Sequence, residues 1–371
     1  MSTVASTKIL ENQSNPNQIH SHAASLEASF SNEKVISSHQ KNPNLLADVG
    51  GTNARFGLEY SDGETKQITE IKTYKCSEFK SLSDVIREYL SEKKQISIEH
   101  AAIAIANPVN SDQVKMTNHD WSFSIKTMRE ELNLKTLCVV NDFAALALAV
   151  PALKSDEKRQ IGDLMSSKAK KNVMGVLGSG TGLGVAGVLP IHDKWVPLAS
   201  EGGHATFAAT TPIEQRILSY ARRLYTEHVS YERIVSGPGI KVIYAALAER
   251  DGKRVERGLL NANIVERAHD GDKLAREVIN TFCSILGSFA GNVAVTLAAV
   301  GGIYIGGGVV PKLGDLFDRS PFRERFEAKG RFQSYLERIP TFVITSSTPA
   351  FIGASVMLNA RLAGDTLIGG H

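Results

Sequence analysis

The chain has 371 residues, room for two or so domains, and its 42% apolar and 22% charged content describes an ordinary soluble globular protein. Its formal charge is +3, from scattered residues, too mild for the clustered basic face that nucleic-acid binding needs. Three distant cysteines (Cys76, Cys138, Cys283) and no CxxC pair argue against a disulfide framework or a zinc ribbon and suit a reducing cytoplasm.

Residues 1–43 are rich in Ser, Asn and Gln, hold one aromatic (Phe30), and read as a flexible extension with room for a short helix around Ser25–Ile36. They lack arginine and a long apolar core, so neither a mitochondrial presequence nor a secretory signal is expected. From Asn44 the pattern becomes α/β. Strands are expected at 45–49, 54–59 and about 68–74, then a helix over 79–92 with apolar Leu82, Val85, Ile86 and Leu90. A strand at 101–106 ends in Asn107-Pro108, and a short one follows at 112–116. A helix from Ser124, a strand at 137–140 and a helix from Phe143 to Val150 complete this half. The polar, lysine-rich stretch 154–172 reads as a crossing, after which a second α/β pattern runs to the end. Val278 to Pro311 carries no charge and is long enough for a bilayer. Its glycines and Asn280 and Asn292 favour a buried helix to about Ala299 and then a strand, Ile303–Ile305, so no membrane partner is expected.

Two glycine-threonine turns stand out: Asp48-Val-Gly-Gly-Thr-Asn53 and Gly178-Ser-Gly-Thr-Gly-Leu-Gly184. Each lies between apolar stretches and so predicts a hairpin whose tip exposes backbone N–H groups, able to wrap a phosphate. Two such tips in one chain suggest two half-sites on one polyphosphate, ATP. Gly182-Leu-Gly184-Val-Ala-Gly187 matches GxGxxG, but it runs into a β-like stretch ending at Pro190 instead of opening a helix, and the dinucleotide reading fails.

Asp48 is either a turn former or a carboxylate beside the phosphates, holding Mg²⁺ directly or through water. Asn141-Asp142 ends the strand at 137–140, at the carboxyl end where open α/β sheets place ligands. It suits a helix cap, and equally a carboxylate base for phosphoryl transfer to an alcohol. Glu201-Gly-Gly-His204 allows a metal site or hydrogen bonds to vicinal sugar hydroxyls. Glu232 alone is no more than a helix-surface acid. Gly306-Gly-Gly308 is a third glycine turn, either a tight connection or a flat platform for adenine.

Together these residues resemble the bacterial-type glucokinases of the actin/Hsp70/hexokinase superfamily. Leu46–Phe56 is similar to the first phosphate segment, Leu177–Gly184 to the second, and Gly301–Pro311 to the adenosine segment. Ile103–Ala106, Met116-Thr-Asn-His119, Asn141-Asp-Phe143, Glu201–His204, His228–Arg233 and Ser236-Gly-Pro-Gly239 follow the family's order, so only the first 43 residues lack a counterpart. The resemblance implies an α/β, two-lobed actin/hexokinase-like (ribonuclease H-like) fold with a ligand cleft between lobes. Its small domain would be 44–152 plus 346–371, its large domain 153–345. It implies ATP- and Mg²⁺-dependent phosphorylation of D-glucose at the 6-hydroxyl by a cytoplasmic homodimer. Asp142 would be the base; Asn141, Glu201, His204 and Glu232 would hold the sugar. Gly50, Gly51, Thr52, Asn53, Gly180, Thr181 and Gly182 would hold the phosphates, Gly306 and Gly307 the adenosine, and Asp48 would lie near Mg²⁺. The related ROK kinases typically carry a cysteine-rich zinc cluster after a histidine; here no cysteine lies between Cys138 and Cys283.

Overall fold

The computed structural model describes residues 42–62, 65–93, 96–162 and 171–365, all inside the compact unit Gln40–His371. The extension expected over 1–43 lies outside them, apart from its last two residues. The chain begins with β1 (Asn44–Val49), β2 (Asn53–Ser61), β3 (Lys66–Lys75), α1 (Leu82–Ser91) and β4 (His100–Ile105). A ribbon of β5 (Gln113–Lys115) and β6 (Ser122–Ser124) precedes α2 (Ile125–Glu131), β7 (Thr136–Asn141) and α3 (Asp142–Ala149). One sheet runs in the order β3-β2-β1-β4-β7, with β1 antiparallel to β2 and parallel to β4, and β4 parallel to β7.

The next strands are β8 (Lys158–Ile161), β9 (Met174–Ser179), β10 (Leu183–Ile191) and β11 (Lys194–Ser200). Helices α4 (Pro212–Leu224), α5 (Tyr231–Ile234), α6 (Gly237–Arg250), α7 (Asn261–His269) and α8 (Lys273–Leu297) follow. Strand β12 (Ile303–Gly306), the short helices α9 (Val310–Leu313), α10 (Asp315–Asp318), α11 (Phe322–Glu327) and α12 (Gln333–Leu336), and β13 (Thr341–Ile344) lead to the last helix, α13 (Pro349–Leu362). The second sheet has the order β11-β10-β9-β12-β13-β8. Part of the stretch expected to be a plain crossing, 158–161, is therefore the edge strand β8, paired antiparallel with β13. Its residues are largely polar, as an edge allows.

Strands β1, β4 and β7 are apolar runs because both their faces are covered. Side chains alternate between faces. Leu45, Ala47, Ala101, Ile103 and Val139 meet α1 and α2 through Val85, Ile86, Ile125 and Met128. Leu46, Ala102, Ala104 and Val140 meet α3 and α13. Helix α1 starts where Ser81 accepts from the Asp84 N–H at 3.1 Å, an ordinary N-cap. Helix α3 reads Asp-Phe-Ala-Ala-Leu-Ala-Leu-Ala, apolar all round, and such a helix is buried on every side. Ala144, Ala145 and Leu148 pack on the first sheet and α13. Leu146, Ala147 and Val150 pack on Val176, Ala186 and Val188 of the second.

Helix α13 lies against α3 so closely that a Cβ at Gly353 would sit on the Ala145 carbonyl. Gly353→Ala is expected to destabilise the fold by about 2 kcal/mol or more, since neither backbone can yield cheaply. A urea midpoint unchanged from wild type would contradict this. The buried Glu59 of β2 also fastens α13, accepting from Ser355 Oγ and from Asn44 Nδ2. The charge-free run proves to be α8 followed by β12. Among the described residues α8 is the one helix long and apolar enough to cross a membrane, and it is mostly buried in the larger core.

Candidate active site

Both glycine-threonine turns are hairpin tips, as the flanking apolar stretches predict: β1 pairs antiparallel with β2 and β9 with β10. In the first, the Gly50 N–H donates to the Asn53 carbonyl at 2.9 Å. Gly51 has to be glycine, because a Cβ there would lie 2.8 Å from Asn118. That close approach brings up the loop 116–119, which is pinned in turn to the end of β4. Asn107 Oδ1 accepts from both Thr117 N and Thr117 Oγ1, at 2.9 and 2.8 Å.

The second turn is braced from outside. Gly180 N–H donates to Gly182 O at 2.9 Å, and Gly180 O accepts from Gly237 N at 2.8 Å. Leu183 N–H donates to Glu232 Oε2 at 2.9 Å, so one carboxylate oxygen of Glu232 supports the turn. The third glycine turn lies against the second, with a Cβ at Gly178 only 2.7 Å from the Gly306 carbonyl carbon. Gly307 there adopts φ +80°, a conformation that favours glycine.

Asn141 ends β7 and caps α3. Its Oδ1 accepts from Phe143 N at 3.0 Å and Ala144 N at 3.1 Å, and its Nδ2 donates to Asp142 Oδ1 at 3.1 Å. Asp142 accepts a further bond from Phe143 N at 2.9 Å. The cap and the projecting carboxylate therefore coexist. Burial pushes the Asp142 carboxyl up to about 7, helped by the negative charges of Asp48 and Glu201 and opposed by the Phe143 N–H bond. Burial also raises Asp48, with Arg55 opposing.

One cavity of about 630 Å³ unites residues from both sheets. Of the residues singled out in the sequence, Gly50, Gly51, Thr52, Asn141, Asp142, Gly180, Thr181, Gly182, Glu201, His204, Glu232 and Gly307 line it. Asp48, Asn53 and Gly306 do not line it; they sit one step behind, in the strands and turns that shape its wall. Sequence reasoning gave no site role to Asn107, Thr117, Asn118 or Ser200, which also line the cavity. Asn107 could have been found by its place at the carboxyl end of β4. Glu201 follows β11, and the turn after it presses on the second glycine turn, since a Cβ at Gly203 would meet the Leu183 carbonyl. Among the described residues no cluster of three His, Cys, Asp or Glu side chains is placed to hold a metal ion.

Glycine tips from two sheets, a carboxylate with a raised pKa and a set of polar side chains share one cavity, the parts that phosphoryl transfer to an alcohol needs. The comparisons agree: the family model named glucokinase matches residues 45–361, and the chain belongs to the glucokinase family. It is 57% identical over 330 residues to the bifunctional protein glk of Burkholderia thailandensis, covering 89% of this chain and 50% of that protein. It thus spans about half the length of the curated relatives it first matches. It is 46% identical to the glucokinase of Chromobacterium violaceum, over 86% of this chain and 90% of that one. A solved glucokinase from an Antarctic psychrotroph superposes with a TM-score of 0.76 at 36% identity, over 85% of this chain and 98% of that structure.

Proposed function

We propose that this chain transfers the γ-phosphoryl group of ATP to the 6-hydroxyl of D-glucose, yielding glucose 6-phosphate, with Asp142 as general base. The observation that most supports this is Asp142 itself: a half-buried carboxylate in the same cavity as both glycine-threonine tips, poised near neutrality. A base is most effective when its pKa lies near the working pH. Mg²⁺-bound ATP supplies the electrophilic phosphoryl group and part of the charge neutralisation. The rest falls to this chain. Asp142 takes the proton from the attacking hydroxyl. Asn141, Glu201, His204 and Glu232 hold the other sugar hydroxyls. Gly51, Thr52, Thr181 and Gly182 face the phosphates, the two threonines with their hydroxyls, while Gly50, Asn53 and Gly180 keep the tips in shape through the Gly50 N–H to Asn53 and Gly180 N–H to Gly182 bonds. Gly306 and Gly307 flank the adenosine, and Asp48 lies on the Mg²⁺ side.

In this reading each sheet is the heart of a lobe of an actin/hexokinase-like fold, 44–152 plus 346–371 against 153–345, and the lobes close on the sugar. Closure excludes water, the competing nucleophile. Cytoplasmic location and homodimer formation belong to the same reading and are carried by the family resemblance. The test is coupled detection of ADP release across a panel of hexoses. Glucose should give the highest kcat/KM, and release with no hexose at all would sink the proposal.

A further inference from the structure

Arg55 has no task in that reading, yet its guanidinium meets three separate pieces of chain. One arm, Nη1, lies 3.7 Å from Asp48 Oδ2 across the first glycine turn. The other, Nη2, donates to the Ser347 carbonyl at 3.3 Å. Its flat face covers the Phe351 ring, 5.4 Å from the centroid. Ser347 belongs to the segment 345–348, which carries the chain from β13 in the second sheet to α13 on the first. That segment is gripped on its other side as well. Thr345 N and Ser346 N donate to the Glu157 carbonyl at 2.8 and 3.1 Å, and Ser346 Oγ donates to Glu157 Oε1 at 3.1 Å. Glu157 sits in the other crossing, between α3 and β8. The two crossings are therefore hydrogen-bonded to each other, and Arg55 fastens the pair to Asp48.

A partly exposed ion pair of this length contributes little to stability, so stability is a poor reason for the arrangement. A planar fork, by contrast, can hold two acceptors in fixed relation, as lysine cannot. We infer that Arg55 is a positioning residue that fixes the Asp48 carboxylate relative to the paired crossings, so that the first glycine turn and the 345–348 segment move as one piece. The inference rests on the proposed nucleotide site at that turn.

The test compares Arg55→Ala, Arg55→Lys and wild type in three measurements: affinity for Mg²⁺-bound AMPPNP, affinity for glucose, and hydrogen exchange of the peptide 346–352. For Arg55→Ala we expect nucleotide affinity to fall about tenfold or more, glucose affinity to stay within about twofold, and the peptide to exchange faster. The lysine variant should recover part of the nucleotide affinity but not the slow exchange. Unchanged exchange overturns the inference, as does an equal loss of both affinities with a lowered Tm, which would mark a merely structural role. Should Arg55→Ala not fold, Phe351→Leu, which removes the ring beneath the guanidinium, should shift the same readings in the same direction. A wild type that binds no nucleotide would defeat the functional reading, while the exchange comparison would still decide the coupling.

Discussion

Asp142→Ala is expected to lower kcat by about two orders of magnitude or more, while glucose affinity changes little. In the proposed mechanism this carboxylate is the proton acceptor, whereas sugar binding is spread over Asn141, Glu201, His204 and Glu232. Near-normal kcat in the variant would remove Asp142 from the chemistry. The same carboxyl predicts a pH profile: with its pKa pushed up to about 7 by burial, kcat/KM should fall about tenfold per pH unit below that value. It also predicts a stability effect. The folded state favours the protonated acid, and that contribution is full below the ordinary 3.8 and is lost as pH rises to about 7. Asp142→Asn keeps an oxygen for the Phe143 N–H and carries no charge. Its Tm advantage over wild type should therefore grow between pH 4 and 7 and then level off. A constant difference across that range would show that burial does not govern this group.

Gly184→Ala should be nearly as damaging to turnover, although glycine 184 carries no reacting atom. A Cβ there would occupy the space of the Phe143 ring. Phe143 is the residue after Asp142, and its N–H holds both the Asn141 and the Asp142 side chains. Pushing the ring away moves the first turn of α3, and a displacement of about 1 Å at a catalytic group can cost about 10²-fold in rate. The decisive measurement is a double-mutant cycle on kcat: Phe143→Ala makes room, so Gly184→Ala on that background should cost much less. Additive losses would mean that Gly184 acts by another route.

How the site reads from sequence follows from what each signal depends on. The glycine tips are local: two apolar strands and an N–H-rich turn predict a hairpin wherever they lie, and both hairpins form. The long apolar run also resolves locally, because its glycines break it into α8 and β12. The edge strands are harder. β8 and β11 carry mixed polar and apolar residues, and their partners, β13 and β10, are what hold them extended. The hidden part of the site is likewise non-local. Asn118 and Thr117 line the cavity only because Gly51 admits them and Asn107 fixes them, a contact between positions far apart in the chain. Glu232, which alone reads as a surface acid, is placed by the Leu183 N–H of a distant turn.

The placement of α13 bears on the order of synthesis. The face of the first sheet formed by Leu46, Ala102 and Ala104 is covered by α3 and by Phe351, Ala354, Met357 and Leu358. During translation the strands of that sheet leave the ribosome long before residues 349–362 do. Domains generally fold as units as they emerge, and exposed apolar faces invite aggregation. This sheet must wait for nearly all the intervening chain before its second face is sealed. The nascent protein thus carries an open apolar surface until residues 349–362 emerge, a natural point for a chaperone to engage.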